Sequence, residues 1–474
     1  MNFSWSDAAP TPRQEAVSLR GFAQAEFDDP LISSAEYNSS RVLGASGEKE
    51  GPYNWVPPSY WYDSTHYNAS DPTRTNVGGA WGFDSEASAG DTIPTIDSIE
   101  RFMSPLEQEK LWREPDYNQY HTNYEPELPN QHNEGYSFGT LSELDKAIAA
   151  RYGQWSSLEQ YVEEAQVANY ETQRAEFEAY INNSTAEPTP STGIDYWMLN
   201  KGIPTLLWDL YNEEFDQAGS YFGAQEANRA LHVLYAYDTN TVSVDNLTGA
   251  TASGLEVESK VYSLDGSLLD AQHTGPLSIG AQGVANELIT PRVPASTTPP
   301  APAQTYFIEL LLKQDGTTVD RNVYWLSTQP DVVNWSATVG EPQATMSQYA
   351  DLTQLHELAQ ASISAHATTT AEPGPDGSTA VTSVTIKNTS ATPTVAFFLR
   401  ADVRRGDAQG SPEAGDNEVL PIYWSSNDTT LWPGESETLT AAYAAADLHA
   451  AQPVVSLTGW NTPTVDIPAP APSG

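Results

Sequence analysis

Short apolar segments alternate with helical patterns over the first 218 residues. The pattern predicts a helix over residues 12–27 and strands at 31–35, 53–56, 80–83 and 194–199. Two capping-box sequences, Thr140-Leu-Ser-Glu143 and Ser156-Ser-Leu-Glu159, predict the starts of further helices, because their side chains satisfy free N–H groups of a first turn. Strands that alternate with helices indicate an α/β architecture with a parallel sheet.

A long helix is predicted after the second capping box. Its apolar residues recur at helical spacing and fall mainly on one face: Leu158, Tyr161, Val162, Ala165, Ala168, Ala175 and Ala179.

From about residue 219 the pattern becomes that of an all-β protein. A first group of strands is predicted at 232–237, 242–246, 255–262, 305–313 and 323–326. A second group is predicted at 379–388, 394–403, 419–424, 438–443 and 454–460. Two β-sandwiches account for these groups. Residues 291–304 have the composition of a linker, but strands of one sandwich flank them, so we interpret them as a loop.

Charge and composition narrow the possible functions. The chain has 474 residues, with 63 acidic against 21 basic ones and a net charge of −42. Nucleic acid is therefore not an expected partner, because phosphate binding needs clustered Lys and Arg. The acidity either favours cationic ligands, such as amino-sugar polymers, or only keeps the protein soluble. Cysteine is absent, which excludes disulfides and thiolate chemistry.

Neither metal nor cofactor chemistry has a signature in the sequence. The eight His residues are scattered without paired-ligand spacing, and no P-loop or G-x-S-x-G sequence occurs. No stretch reaches the roughly 18 apolar residues of a membrane span. Residues 1–5 do not resemble a signal peptide, so either the protein is cytoplasmic or its true N-terminus precedes this chain.

Two carboxylates follow predicted strands. Glu86 ends the segment Ala80-Trp-Gly-Phe-Asp-Ser-Glu86, and Asp7 ends Asn2-Phe-Ser-Trp-Ser-Asp7. In a parallel barrel, catalytic groups lie at the C-terminal ends of strands. A pair of carboxylates about 5 Å apart is what retaining glycoside hydrolysis requires. Taken singly, each acid is better explained as a helix cap or, for Glu86, a solvated acid than as a catalytic group.

Aromatic residues surround these acids in the sequence. Tyr53 and Trp61 lie in a proline-stiffened segment over residues 51–62, and Trp197 and Asn200 follow another predicted strand. Aromatic rings stack on the C–H faces of sugars, so these residues are candidate saccharide contacts. Packing at a barrel rim is the alternative for Tyr53, Trp61 and Trp197.

The same segments carry a resemblance to glycoside hydrolase family 2. Residues 61–62, 78–86 and 196–200 are similar to that family, and its exo-β-D-glucosaminidase subgroup is the nearest match. Residues 51–58, 221–228, 322–327 and 459–462 continue the similarity almost from end to end.

The resemblance implies a fold and roles for individual residues. It implies the C-terminal part of a (β/α)8 TIM barrel at 1–218, comprising strands four to eight, and immunoglobulin-like β-sandwiches at 219–332 and 333–474. Glu86 matches the catalytic nucleophile, and Asp7 matches the general acid/base. The chain would begin just before the fourth barrel strand, and the subsite residues of the preceding part cannot be transferred to it.

The implied function is retaining exo-β-D-glucosaminidase activity on chitosan oligosaccharides. Tyr53, Trp61, Trp197 and Asn200 are the expected substrate contacts, and no cofactor or metal is required. A secreted monomer without membrane or nucleic-acid partners is expected, with its signal peptide on the preceding part. A β-mannosidase-type member of family 2 and a non-catalytic, truncated carbohydrate-binding protein are the alternatives.

Overall fold

The computed structural model describes residues 11–26, 39–40, 44–45, 48–63, 78–114, 141–186, 190–338, 344–374 and 377–470. These residues form a mixed structure that is mostly β with some helices. The helices are α1 Pro12–Gln24, α2 Pro58–Tyr62, α3 Ile96–Phe102, α4 Pro105–Arg113, α5 Ser142–Tyr152, α6 Leu158–Asn182, α7 Gly219–Ala227 and α8 Trp335–Thr338. No helix in these ranges is both long and apolar enough to cross a lipid bilayer.

Strands occupy much of the remainder. In the first part of the chain they are β1 Ser39–Ser40, β2 Gly44–Ala45, β3 Glu48–Glu50, β4 Gly82–Ala87 and β5 Ser191–Tyr196. They continue as β6 Leu231–Ala236, β7 Thr241–Asn246, β8 Ala252–Ser263, β9 Leu268–His273, β10 Leu277–Ile279, β11 Gly283–Ile289, β12 Thr305–Gln314 and β13 Thr317–Ser327. The last are β14 Val332–Val333, β15 Met346–Gln348, β16 Ile363–Gly374, β17 Gly377–Asn388, β18 Ala396–Gly406, β19 Ile422–Trp424, β20 Thr429–Leu431, β21 Ser436–Ala444, β22 Gln452–Gly459 and β23 Thr462–Pro468.

A parallel sheet of three strands is the centre of the first part. Its order is β3-β4-β5, and both pairings are parallel. The α/β prediction is therefore confirmed for these strands, and the helix predicted at 12–27 is α1. The strand predicted at 31–35 lies outside the described residues.

The strand predicted at 53–56 is wrong. Strand β3 ends at Glu50, and an irregular segment runs from there to α2. Gly51 has a positive φ of 68° and precedes Pro52. Pro52 and Pro57 have no N–H to donate to a sheet ladder, which explains why the aromatic residues between them do not extend the strand.

Both capping boxes differ from the prediction in detail. Helix α5 begins after Leu141, which makes no side-chain cap, and Thr140 lies outside the described residues. Helix α6 is capped by Ser157, whose side chain accepts from the Gln160 N–H. The cap is therefore displaced by one residue from Ser156, because two adjacent serines offer the same chemistry.

Helix α6 is buried around most of its circumference, not along one face only. Its buried residues include charged and amide side chains such as Glu171, Gln173, Arg174 and Glu178. A helix enclosed in this way must pair its polar groups with other elements. It does so with the parallel sheet, where the Tyr180 hydroxyl donates to the Asp84 carboxylate at 2.6 Å.

Helix α7 packs against α6 at backbone distance. A Cβ added to Gly219 would lie 2.3 Å from the Gln166 carbonyl oxygen, and one added to Gly223 would lie 2.2 Å from that of Tyr170. The two glycines are four residues apart and so share one helical face. Glycine at both positions is what permits this close approach.

Two β-sandwiches follow. In the first, the sheet β11-β7-β6 packs on a sheet of order β10-β8-β12-β13, with β9 also paired to β8. Their facing side chains form one core that includes Val233, Val244, Val257 and Leu310. The loop predicted at 291–304 does connect β11 to β12, which belong to opposite sheets of this sandwich.

The second sandwich packs the sheet β16-β17-β21-β19 on the sheet β20-β18-β22-β23. Its core includes Val384, Leu439, Leu399 and Leu457. The five strands predicted in this region are present, and the long strand β16, which the pattern did not single out, pairs with β17 along its length.

We predict that Gly223→Ala destabilises the protein by about 1–3 kcal/mol, because its methyl group would overlap the Tyr170 carbonyl and force α7 away from α6. Urea unfolding followed by circular dichroism measures the change. Gly249→Ala is the matched control, since a Cβ there meets nothing within 4 Å. Equal effects of the two substitutions would contradict the close-approach explanation.

Candidate active site

Glu86 lies near the C-terminal end of β4, the central strand of the parallel sheet. On one side, the Gly51 N–H donates to the Glu86 carbonyl oxygen at 2.7 Å. On the other, the Trp197 N–H donates to the Ala87 carbonyl oxygen at 2.7 Å. Glu86 is partly exposed, so its carboxylate is at the strand-end edge where ligands of parallel sheets bind.

The structure separates the two acids of the 80–86 segment. Asp84 is completely buried and accepts the hydrogen bond from Tyr180. Glu86, two residues later, is partly exposed. An ideal strand would direct residues two positions apart to the same face, but the register of β4 with β5 shifts between Asp84 and Ala87. This irregularity gives the two acids different environments, since such bulges re-aim side chains.

Tyr53 is held against the end of β4 by the irregular segment after β3. The Ser88 N–H donates to the Pro52 carbonyl oxygen at 2.9 Å. Gly90 lies so close to Trp55 that a Cβ added to Gly90 would be 2.4 Å from the Trp55 backbone nitrogen. The Tyr53 ring is 4% exposed, with its centroid 5.9 Å from that of Trp208. Tyr53 is thus near the site but is largely covered in this chain.

Trp197 and Asn200 follow β5, next to the end of β4. Both are partly exposed, and the Trp197 side chain packs against the cluster of Tyr53, Leu207 and Trp208. The structure therefore brings Glu86, Tyr53 and Trp197 to one edge of the sheet. Sugar contact by these residues, and by Asn200, stays a prediction.

Trp61 is buried in the core and is not exposed at this edge. Its side chain is 0% exposed and packs in a separate core cluster with Tyr60, Val56 and Tyr180. Packing, the alternative considered for this residue, explains its position. Sugar contact by Trp61 stays a prediction, which its burial among the described residues does not support.

Asp7, the expected acid/base, lies outside the described residues. Its distance from Glu86 is consequently not a measured feature of the site. Its role remains the one that the family resemblance implies.

The sequence analysis did not identify three residues that lie close to this edge of the sheet: Trp208, Lys201 and Asp209. The Trp208 indole N–H donates to the Tyr53 carbonyl oxygen at 2.6 Å, and Lys201 forms an ion pair with Asp209 at 3.5 Å. Burial lowers the pKa of Lys201, and burial raises the pKa of Asp209 to about 6 despite the nearby ammonium. Trp208 occurs in a short apolar run, Leu206-Leu207-Trp208, which sequence alone does not distinguish from core.

A second polar cluster lies where α6 meets the first sandwich. Glu226, His232 and Asp320 have ligand atoms within 4.8 Å of one another, the spacing of a metal site. Protein groups engage all three: Arg229 contacts Glu226 at 2.7 Å and Asp320 at 3.3 Å, and the His232 ring bonds Asp320 and Glu178. We assign the cluster a structural role, because the Arg229 guanidinium already pairs with both carboxylates that a metal ion would need.

Two side chains in and beside this cluster, His232 and Asp245, have raised pKa values and so bind protons more readily than usual. Burial opposes protonation of His232, but Asp320 and Glu178 outweigh it and raise its pKa well above the usual value. Burial also raises the pKa of Asp245, which pairs with His232 across β6 and β7, to about 7. The folded protein therefore holds protons that the unfolded chain releases.

Comparison with known proteins identifies similar sequences. The family model described as "Exo-beta-D-glucosaminidase Ig-fold domain" matches residues 343–462. An exo-β-D-glucosaminidase of Streptomyces avermitilis is 42% identical and covers 98% of this chain, with 48% of its own length matched. One from Amycolatopsis orientalis is 40% identical and covers 99% of this chain, with 42% of its own length matched.

Solved structures give the same result. The exo-chitosanase of Amycolatopsis orientalis, in a complex with PNP-β-D-glucosamine, matches with a TM-score of 0.84 at 40% identity. The match covers 97% of this chain and 50% of that one. A β-D-mannosidase from Dictyoglomus thermophilum, at 13% identity and a TM-score of 0.58, shares the fold only. The chain spans about half the length of the curated relatives that it matches.

We predict that Trp208→Phe destabilises the protein by about 1–3 kcal/mol more than Trp432→Phe. The first change leaves the Tyr53 carbonyl without its donor, and an unsatisfied buried acceptor is costly. The Trp432 indole N–H is buried and has no hydrogen-bond partner among the described residues, so its loss controls for the change in ring size. Thermal and urea unfolding provide the measurement, and equal losses would refute the role of this bond.

We predict that Asp245→Asn stabilises the protein at alkaline pH. Burial raises the pKa of Asp245 from 3.8 to about 7 in the folded protein. The contribution of this residue to stability is therefore fully present below pH 3.8 and is lost as the pH rises to about 7. The amide removes this loss, so the gain should be roughly 2–3 kcal/mol larger at about pH 8 than at about pH 5. Urea unfolding at both pH values measures it. The exposed Asp195→Asn is the control, and an equal gain at both pH values would exclude proton linkage at Asp245.

Proposed function

We propose that the chain belongs to the exo-β-D-glucosaminidases of glycoside hydrolase family 2, and that it supplies the nucleophile and part of the cleft of a retaining exo-β-D-glucosaminidase. The observation that carries the proposal is the position of Glu86. It is a partly exposed carboxylate at the C-terminal end of a parallel strand, flanked by residues 51–53 and by Trp197. The substrate proposed is the terminal glucosamine of chitosan oligosaccharides.

The proposed mechanism is double displacement by two carboxyl groups. Asp7 protonates the glycosidic oxygen as the bond to the leaving group breaks, while the Glu86 carboxylate forms a bond to the anomeric carbon. Asp7, now ionised, then takes a proton from water, and the water oxygen displaces Glu86 with release of the sugar. Neither step requires a metal or an organic cofactor.

The features around Glu86 suit a cationic sugar. Trp197 offers a partly exposed aromatic ring beside the strand end, and such rings pack on the C–H faces of pyranoses. The net charge of −42 favours the approach of a polycationic oligosaccharide. Asn200 and Tyr53 are proposed as polar contacts at the edge of the same cleft.

We also propose a finer domain assignment. Residues 1–218 would be the part of a TIM barrel that contains strands four to eight, with β3, β4 and β5 among them. Residues 219–332 and 333–474 would be two immunoglobulin-like domains, and each range contains the strands of one sandwich. The family match over residues 343–462 supports the second of these.

The proposal includes a setting for the protein. It would be secreted, because polymeric chitosan is not available inside a cell, and it would act as a monomer. These two features rest on the family resemblance and on the proposed substrate.

The central test is Glu86→Gln, which keeps the shape of the side chain but removes the nucleophile. We expect release of glucosamine from chitosan oligosaccharides to fall by a factor on the order of 10³ or more, with the folded structure unchanged. The exposed Glu100→Gln is the matched control and should retain activity. The assay uses both the 474-residue chain and the longest in-frame product of its gene.

The outcomes separate the alternatives. Release of mannose in place of glucosamine would move the assignment to a β-mannosidase-type enzyme. A cooperative thermal unfolding transition without hydrolysis by either product would favour a non-catalytic carbohydrate-binding protein. Full activity of Glu86→Gln would exclude Glu86 as the nucleophile.

A further inference from the structure

A cavity of about 300 Å³ lies where the helical part, the first sandwich and the segment after β13 meet. Helices α5 and α6 contribute Arg151 and Glu171, and the sandwich contributes Tyr235, Tyr237 and Trp325. None of Tyr53, Glu86, Trp197 or Asn200 lines it. The cavity is therefore separate from the candidate active site.

The proline-rich loop closes one side of this cavity through Val293, Pro294 and Ser296. The loop is fastened to the sandwich because the Thr297 N–H donates to the Thr328 carbonyl oxygen at 2.7 Å. The 291–304 segment has no part in the catalytic proposal. The segment instead forms one wall of this partly open cavity.

The polar side of the cavity is built around Arg151. This side chain is almost completely buried and contacts Glu171 at 2.6 Å and Asp331 at 3.3 Å. Its Nε–H, however, has no hydrogen-bond partner among the described residues, and neither has the buried hydroxyl of Tyr237. A buried donor without a protein partner is costly, so both groups are available to a polar ligand in the cavity.

The opposite walls are aromatic. Tyr235, Tyr306 and Trp325 are almost fully buried and line the same space. Aromatic walls combined with a few unpartnered polar groups are typical of small-molecule sites, whose volumes begin at about 300 Å³. A pyranose has apolar C–H faces for the rings and hydroxyl oxygens for the donors, whereas an acyl chain would leave both donors unsatisfied.

We propose that this cavity binds a single hexose-type sugar ring, with Arg151 and Tyr237 donating to its hydroxyl oxygens and the aromatic residues packing on its faces. The volume limits the occupant to about one ring. Two carboxylates beside one guanidinium disfavour an anionic ligand such as phosphate. The site would thus be a second sugar site, distinct from the catalytic cleft.

The test uses D-glucosamine and D-glucose as probes in thermal unfolding and titration calorimetry. At least one sugar should raise the unfolding temperature in a concentration-dependent manner, because it binds only the folded state. Tyr237→Phe should weaken that binding about tenfold, the effect of one lost hydrogen bond. It should not lower the unfolding temperature without sugar, because the hydroxyl has no partner there. Tyr423→Phe, at an exposed tyrosine, is the control and should bind like the parent.

A second variant separates a loss of sugar binding from a loss of folding. Ser296→Trp places a large ring at the cavity wall from an exposed loop position, and it should abolish the same binding that Tyr237→Phe weakens, without disturbing the cores. The proposal is overturned if neither sugar binds, or if both variants bind as tightly as the parent, which would locate the sugar elsewhere. A sugar-soaked crystal with only water in the cavity would also overturn it.

Discussion

The burial of a charged helix is the constraint on which the rest of the structure depends. Arg174 and Glu178 of α6 are 1% and 0% exposed, and an unpaired charge in that environment would cost several kcal/mol. Arg174 donates to the Asn322 side chain and to the Val323 carbonyl oxygen at 2.8 and 2.6 Å. Glu178 accepts from Tyr324 at 2.8 Å. All of these partners belong to the first sandwich, so α6 is stable only when the sandwich is docked.

The same helix reaches the candidate active site. Gln173 donates to the Tyr196 hydroxyl at 2.9 Å, and that hydroxyl donates to the Trp208 carbonyl oxygen at 2.9 Å. The position of Trp208 determines that of Tyr53. Hydrogen bonds on two sides of α6 therefore join the sandwich, through this helix, to the segment beside the strand end where Glu86 lies. The sandwich holds none of the residues of the proposed chemistry, yet it is physically joined in this way to the part that holds Glu86.

Sequence patterns predicted those structural elements that neighbouring residues in the chain determine by themselves. Ten sandwich strands, among them β8, β12 and β22, were predicted because alternating side chains and turn residues specify them directly. The strand pattern made Glu86 only one of several acids at a strand end, and its catalytic role is a prediction from the family resemblance. The segment 53–56 was misread because its aromatic residues favour a strand while the flanking prolines prevent one. Trp61 and Trp197 look alike in sequence, and only packing shows that one lies in a core and the other at an edge. Sequence periodicity does not reveal contacts between residues that are far apart in the chain. Such contacts form the Trp208–Tyr53 hydrogen bond, the Arg151 cavity and the polar pairs of α6.

The three-stranded parallel sheet has a consequence for handling the protein. Among the described strands, β3 and β5 each pair with β4 alone, so any further strand that joins this sheet must pair with β3 or with β5. Such edges accept added strands from neighbouring molecules. Both strands are short, which limits the number of bonds that an incoming strand can form. Concentration-dependent self-association of the purified chain should accordingly begin at this sheet and leave the two sandwiches folded.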